Sequence, residues 1–340
     1  MRVALDAQLT VGTATGIGEY VRGLIDALRR EGVDVAELRE PHLDPWRFDR
    51  RVLWDQVLLP RRARASGASL LHCASGTMPV ATRLPVVVTV HDVAWLAEQV
   101  SARPYARYYF AKFSPGRYRR ARRVVVDSNF SRDALLNLVG NLDQERVHVI
   151  YPGVAADFCE LARGTGDGRT ILAVGTIERR KNLAVLIRAL ASLPAARLVA
   201  AGPHTPYAAE CAAVARSLGV ADRVEMPGYI TRDALLALYR SCAVVAVPSR
   251  YEGFGYAAAQ ALCAGAPCVV SERSSLPEIA AGDAPIAAAD DADAWVAALG
   301  AALKSGESAG ANGARARAIA RFSWDAAAAR MASLYDEALG

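Results

Sequence analysis

Apolar residues recur along this chain in two alternating rhythms: short β-branched runs, and longer stretches with apolar positions three and four apart. The first rhythm predicts strands and the second amphipathic helices. A strand at 3–5 is followed by a glycine-rich turn, Gly12-Thr13-Ala14-Thr15-Gly16-Ile17-Gly18. Tyr20, Val21, Leu24, Ile25 and Leu28 then predict a helix over 19–30, closed by Gly32. Strands follow at 86–90, ending at His91-Asp92, at 124–126, ending at Asp127-Ser128, and at 147–150, ending at Tyr151-Pro152-Gly153.

The pattern fades over 154–168, whose close, Arg163-Gly164-Thr165-Gly166-Asp167-Gly168, reads as a linker. A second series starts at once, with strands at 170–174, 197–201, 224–226, 244–247 and 268–270 and helices over 182–193, 232–241 and 256–264. A last helix is predicted over 324–339, beginning at Ser323 or at Trp324-Asp325. This alternation predicts an α/β protein with two doubly wound parallel sheets. The domains are set at 1–160 and 170–320, with 321–340 as a terminal helix. Ligands of such sheets bind at the carboxyl ends of strands, beside helix N-termini, and two such domains place the site in a central cleft.

Composition narrows the class. A chain of 340 residues suits two domains, and 53% hydrophobic with 22% charged residues excludes a disordered chain. No apolar run approaches the roughly 20 residues of a membrane span. Met1-Arg2-Val3-Ala4-Leu5-Asp6 lacks the pattern of a signal peptide, so a cytoplasmic location is expected, with attachment to a membrane face left open. The net charge of +5 is mild and does not imply nucleic acid. Six cysteines (Cys73, Cys159, Cys211, Cys242, Cys263, Cys268) show no CxxC spacing and read as buried reduced thiols.

Two stretches carry candidate chemistry. In Val247-Pro248-Ser249-Arg250-Tyr251-Glu252-Gly253-Phe254-Gly255-Tyr256 a strand ends, a turn carries an acid and two glycines, and a helix begins. The glycines let backbone amides approach a ligand, and the helix N-terminus favours a phosphate. Glu252 stands just outside that anion site, where an acid accepts hydrogen bonds from hydroxyls. Gln260, eight residues on, lies about 12 Å along the helix axis. In Val174-Gly175-Thr176-Ile177-Glu178-Arg179-Arg180-Lys181-Asn182 three consecutive cations follow a strand, where a diphosphate would lie. Taken singly, each stretch also reads as an ordinary connection or a solvated charge run. Basic residues in a helix's first turn oppose its dipole, however, which points to a use beyond stability.

Together these motifs resemble the retaining GT-B glycosyltransferases of family GT4. The resemblance rests on Gly175-Thr176-Ile177-Glu178-x-Arg180-Lys181-Asn182, Ala201-Gly202-Pro203, Pro227-Gly228-Tyr229 and Pro248-Ser249-x-Tyr251-Glu252-Gly253-Phe254-Gly255. In the first half Gly16-Ile17-Gly18-Glu19-Tyr20, His91-Asp92 and Asp127-Ser128-Asn129-Phe130-Ser131 fit in the same order. It implies two Rossmann-like domains facing a cleft, with the last helix crossing back onto the first. It also implies a hexosyltransferase taking a nucleoside-diphosphate sugar, GDP-mannose first, then UDP- or dTDP-sugars. The acceptor would be a hydroxyl of a glycan or lipid-linked saccharide, with no cofactor and no metal. By the same resemblance Glu252 holds donor sugar hydroxyls, Gly253, Phe254 and Gly255 meet sugar and diphosphate through their backbone, and Arg180 and Lys181 neutralise the leaving diphosphate. Tyr229 and Ile230 bind the base, His91 contacts the donor sugar, and Gly16 and Gly18 close over phosphate or acceptor.

Two positions depart from the family. Gln260 replaces the second acid of Glu-x7-Glu, and Thr176 stands where many relatives have Arg, leaving Arg179 or Arg180 to supply the charge. Gln260 motivates the alternative of a nucleotide-sugar-binding protein with weak or no transfer, and another GT-B activity such as an epimerase or phosphorylase stays open. A dinucleotide oxidoreductase fits worst, since Gly12-x3-Gly16-x-Gly18 is not Gly-x-Gly-x-x-Gly. Asp291-Ala292-Asp293 matches the metal-binding DxD pattern but reads as an N-cap. Basic and aromatic residues interleave over 103–123, and Arg47, Arg50, Arg51, Arg61, Arg62 and Arg64 surround Trp46, Trp54, Val57, Leu58 and Leu59. Such stretches suit an anionic membrane surface, and no nucleic-acid motif accompanies them.

Overall fold

Strands covered on both faces lose the polar alternation of a half-exposed strand, and the β-branched runs here are of that kind. All five positions of Val86–Val90 and all four of Val244–Val247 are buried. The computed structural model describes residues 1–12, 16–94, 112–164, 166–305 and 311–340. Its contacts divide the chain into two units, Met1–Gly153 with Phe322–Gly340, and Val154–Arg321.

The first unit holds β1 (Arg2–Asp6), β2 (Asp34–Leu38), β3 (Leu70–Cys73), β4 (Val86–Val90), β5 (Arg123–Val126) and β6 (Val147–Val149). They form one parallel sheet in the order β2-β1-β3-β4-β5-β6. Alternation along each strand sorts side chains onto two layers. Leu71, Val86, Val88, Val90, Val124 and Val126 join a core with Trp54, Leu59 and Tyr118. His72 and Thr89 point the other way, toward Tyr335 of the C-terminal helix Trp324–Leu339 and Tyr20 of the helix Gly16–Arg30. Gly23 and Gly153 clear a slot for Trp324, since a Cβ at either would sit 2.3 Å from its side chain. Ser323 Oγ caps the C-terminal helix, and Arg30 Nη2 donates to Asp325 Oδ1 at 2.7 Å.

The second unit holds β7 (Thr170–Val174), β8 (Arg197–Ala201), β9 (Val224–Gly228), β10 (Val244–Val247), β11 (Cys268–Ser271) and β12 (Ile286–Ala287). Its parallel order is β12-β11-β10-β7-β8-β9. Ile171, Leu186, Leu190, Leu198, Val244 and Trp295 anchor its core. The chain runs outward through β8 and β9, returns, and lays β10 against the other side of β7. Strand order therefore reverses between β7 and β10, the place where open α/β sheets take ligands at their carboxyl ends. All six cysteines are free, five of them buried.

Several expectations need correction. Residues 154–168 do not run loose between the units. Phe158 packs edge-on against Tyr239 at 5.0 Å, and Arg163 donates to the carbonyls of Tyr239 and Cys242 at 3.0 Å each, so the stretch is fastened to the second unit. The helix expected over 182–193 is Leu183–Ala191, because Asn182 takes a left-handed φ of +54°. Residues 103–111 of the basic–aromatic stretch lie outside the described residues. In its remainder Arg117 and Tyr118 are buried, and Tyr118 Oη donates to Gly76 O at 2.6 Å. In the second cluster Arg51, Trp54 and Leu59 are interior, while Trp46, Arg47 and Arg50 remain exposed. The surface reading loses those buried members, since the helical turns rotate them onto the core. Among the described residues no helix is long and apolar enough to cross a membrane.

Candidate functional site

The turn after β10 is built by serines. Ser271 Oγ donates to Ser249 O at 2.5 Å, the Glu252 amide donates to Ser274 Oγ at 2.9 Å, and Ser275 Oγ donates to the carbonyls of Glu252 and Phe254 at 3.1 and 2.8 Å. Gly253 and Phe254 are buried within it, and Phe254 meets Tyr256 edge-on at 5.2 Å. Gly255 then turns the chain with a φ of +98°, and a Cβ there would lie 2.8 Å from Leu276 Cδ2, so both conformation and space demand glycine. The helix Tyr256–Cys263 starts at Gly255 without a side-chain cap. Its N-terminus forms the positive end of the helix dipole beside the turn.

The turn after β7 is held as firmly. Gly202 approaches so closely that a Cβ on it would sit 2.1 Å from Gly175 O. Asn182 Nδ2 donates to Ala289 O at 2.7 Å, and the Arg250 amide donates to Arg180 O at 2.7 Å. Arg250 is itself tied to Asp290 at 2.5 Å. These bonds dock the short turn Arg179–Lys181 onto the turn after β10.

The two turns meet at Glu252. Lys181 Nζ lies 2.5 Å from Glu252 Oε1, Ser249 Oγ donates to the same oxygen at 2.7 Å, and Arg180 Nη1 lies 3.3 Å from Oε2. Arg180 also donates to Tyr251 O at 3.0 Å and pairs with Glu178 at 2.9 Å. Burial alone would raise the Glu252 carboxyl. The charges of Lys181 and Arg180, with the hydrogen bonds from Lys181 and Ser249, outweigh it and hold the group below the usual glutamate range. Of the two arginines left open in the sequence, Arg180 reaches Glu252. Arg179 turns outward to Glu210 at 2.6 Å and lies over the Tyr207 ring. Thr176 and Lys181 line a small pocket with Gly175, Val247, Pro248 and Ser249 at the carboxyl ends of β7 and β10. The arrangement offers cationic and amide donors to an anion, and a fixed carboxylate to hydroxyl groups.

The other expected residues are placed as follows. Tyr239 Oη donates to Gln260 Oε1 at 3.2 Å, and burial keeps that phenol protonated. Tyr229, 56% exposed, and Ile230 follow the edge strand β9, two strands from β7. Asp291 caps a helix, accepting from the amides of Asp293 and Ala294 at 2.9 and 3.2 Å. In the first unit Gly16 and Gly18 open the helix Gly16–Arg30. His91 ends β4, with Nδ1 2.7 Å from Asp127 Oδ2 and Nε2 donating to Ala74 O at 3.0 Å. The sequence reading missed the roles of Ser271, Ser274 and Ser275. Their one signal is a polar run, Ser271-Glu272-Arg273-Ser274-Ser275, directly after a strand.

The family model described as Glycosyltransferase Family 4 matches residues 14–158, and that described as Glycosyl transferases group 1 matches residues 163–319. The D-inositol 3-phosphate glycosyltransferase of Xylanimonas cellulosilytica is 35% identical over 237 residues, 63% of this chain and 57% of that protein. The MMP alpha-(1->4)-mannosyltransferase of Mycolicibacterium hassiacum is 29% identical over 281 residues, 75% of this chain and 66% of that one. The chain thus spans little more than half the length of the curated relatives it matches first. Among solved structures, sucrose-phosphate synthase from Thermosynechococcus elongatus superposes with a TM-score of 0.77 at 23% identity, covering 99% of this chain and 98% of that one. Anabaena HepE in complex with UDP-glucose gives 0.72 at 18% identity, covering 99% of each chain. Both are likenesses of fold, and with two adjoining family matches running from residue 14 to residue 319, this chain belongs to the group 1, family 4 glycosyltransferases.

Proposed function

We propose that this chain is a retaining hexosyltransferase that moves a hexose from a nucleoside-diphosphate sugar, GDP-mannose first, to a hydroxyl of a glycan or lipid-linked saccharide. The observation that carries the reading is the union of Lys181 and Arg180 on Glu252 beside an uncapped helix N-terminus, at the reversal between β7 and β10. A diphosphate needs such donors, and Glu252, held as a carboxylate, accepts from sugar hydroxyls. The relative named a mannosyltransferase and the neighbour solved with UDP-glucose support a hexose on a nucleotide.

In this mechanism the acceptor oxygen attacks the anomeric carbon on the face from which the diphosphate leaves. A carbon–oxygen bond to the acceptor forms, the bond to phosphate breaks, and the acceptor proton passes to a phosphate oxygen. Lys181, Arg180 and the positive end of the Tyr256–Cys263 helix dipole take up the developing charge, so catalysis rests on position and electrostatics, and no metal ion is assigned a part.

A thermal-shift panel of GDP-mannose, UDP-glucose and other nucleotide sugars tests the reading. A donor at a hundred times its Kd stabilises the folded chain by about 2.7 kcal/mol and raises the midpoint. No shift with any member overturns the proposal. Binding without acceptor-dependent release of nucleotide favours a nucleotide-sugar-binding protein instead, the alternative that Gln260 raises. Sugar isomerisation without acceptor favours an epimerase.

A further inference from the structure

His91 is engaged at both ring nitrogens. Nε2 lies 3.0 Å from the Ala74 carbonyl oxygen, which only accepts, so Nε2 carries a proton. Nδ1 lies 2.7 Å from Asp127 Oδ2, so one further proton sits between ring and carboxyl. Two features keep it on the ring. An imidazolium holds its proton to about pH 6.5 and an aspartic acid only to about 3.9. Asp127 stands one residue ahead of Ser128, which caps the helix Asn129–Leu138, and the positive end of that helix favours an anion. Burial, with Oδ1 left without a partner among the described residues, raises the Asp127 carboxyl, and the charge and hydrogen bond of His91 oppose that rise.

The other titratable groups around the ring agree. Tyr20, from the helix Gly16–Arg30, meets it edge-on at 4.6 Å, and burial holds that phenol protonated. His72 of β3 is buried between Tyr335 and Thr89, and burial pushes it down to about 3, so it stays neutral. Burial pulls the His91 pKa down, but the charge and hydrogen bond of Asp127, with a smaller contribution from Asp92, leave it above the usual histidine value.

We propose that Asp127 is a positioning residue that holds His91 as an imidazolium, both N–H groups committed to the protein, so that His91 serves the transfer as a fixed positive charge and not as a proton acceptor. This deepens the transferase reading and rests on it for the role of His91 at the donor. With no lone pair on the ring, the acceptor proton has to leave by another route, which fits its passage to a phosphate oxygen.

The full chain, labelled with ¹⁵N-histidine, tests this directly, since it has five histidines. At about pH 7.5 the His91 signals, assigned by their loss in His91→Phe, are expected to show two protonated ring nitrogens. In Asp127→Asn the ring is expected to become neutral, with turnover down about 10²–10³-fold near that pH. Acidification recharges the ring, so turnover of Asp127→Asn recovers toward pH 5.5 or so, a rise the unaltered enzyme does not show and a merely structural role would not produce. A bare Nδ1 in the unaltered protein overturns the proposal, as does Asp127→Asn with a neutral ring and full turnover. Should Asp127→Asn fail to fold, the spectrum of the unaltered chain still decides. If the unaltered chain turns over no nucleotide sugar, the transferase reading falls, and the spectrum alone then judges the charge on His91.

Discussion

The two units repeat one plan, a six-stranded parallel sheet with one reversal of strand order, and fill the carboxyl ends at that reversal with opposite electrostatics. In the second unit, at β7 and β10, one buried carboxylate is met by two cations, each about a fifth exposed. In the first unit, at β1 and β3, two buried carboxylates share one buried cation. Arg51 Nη2 lies 3.5 Å from Asp6 Oδ2 and its Nε 3.0 Å from Asp55 Oδ1. Asp6 also accepts from Trp54 Nε1 at 2.9 Å and Ser75 Oγ at 2.7 Å. Burial, only partly offset by Arg51, pushes Asp55 up to about 6. The sheet thus sets where polar groups gather, and the loops decide which charge is welcome there. Lys181 and Arg180, each partly exposed, can reorganise around an incoming anion. Buried Asp6, Arg51 and Asp55 instead tie the segment around Phe48–Leu53 to the sheet.

The sharpest break of this contrast is Lys181→Ala. Turnover is expected to fall about 10²–10³-fold, the size of one lost electrostatic stabiliser, while Arg179→Ala stays near the parent because its guanidinium faces Glu210. Equal losses in the two variants, measured as kcat on the donor found in the panel, would erase the distinction between the cations.

Next come the glycines. A Cβ at Gly202 would press on backbone, 2.1 Å from Gly175 O, whereas one at Gly23 would press on the Trp324 ring at 2.3 Å. Backbone cannot rotate away and a partly exposed ring can. Gly202→Ala is expected to cost about 3 kcal/mol and Gly23→Ala about 1–2 kcal/mol in urea unfolding. The reverse order would mean that the β7–β8 turns yield more easily than the C-terminal helix.

The smallest effect concerns pH. The folded Asp55 pKa, about 6, stands above its unfolded value. Its stabilising share is therefore complete below about pH 4 and is lost as pH rises through about 6. Glu252 behaves in the opposite sense, since its folded pKa is depressed. Its share is present above the unfolded value of about 4.3 and is lost as pH falls through the folded one. Between about pH 4 and 7, Asp55→Asn should gain roughly 1–3 kcal/mol relative to the parent in unfolding free energy. A constant difference across that range would remove Asp55 as the source of the asymmetry.

Much of this could be read along the chain. Val86–Val90, Thr170–Val174 and Val244–Val247 declare themselves because doubly covered strands are apolar throughout. Lys181, Glu252 and Gly255 declare themselves because cations, an acid and glycines after strands are costly without a use. β2 was not legible, since Asp34-Val35-Ala36-Glu37-Leu38 breaks the apolar run with two acids at a sheet edge. β3 hides behind His72 and β12 is two residues long. The basic reading of 46–64 loses Arg51, Trp54 and Leu59 to the interior because apolar and basic residues interleave there, and nothing local tells which of them turn inward.

Local chemistry, then, was enough to establish the two α/β units, the strand-end turns and the residue types that suit a diphosphate. Those features depend on neighbours a few positions apart, where sterics and periodicity act. Tertiary structure alone decided that Arg180 and not Arg179 reaches Glu252, 72 positions away. It alone put Arg51 beside Asp6 across 45 positions and His72 against Tyr335 across 263. A buried polar group is stable only when its partner arrives, and which partner arrives is set by how the sheet stacks distant strands, a relation that no stretch of sequence carries by itself.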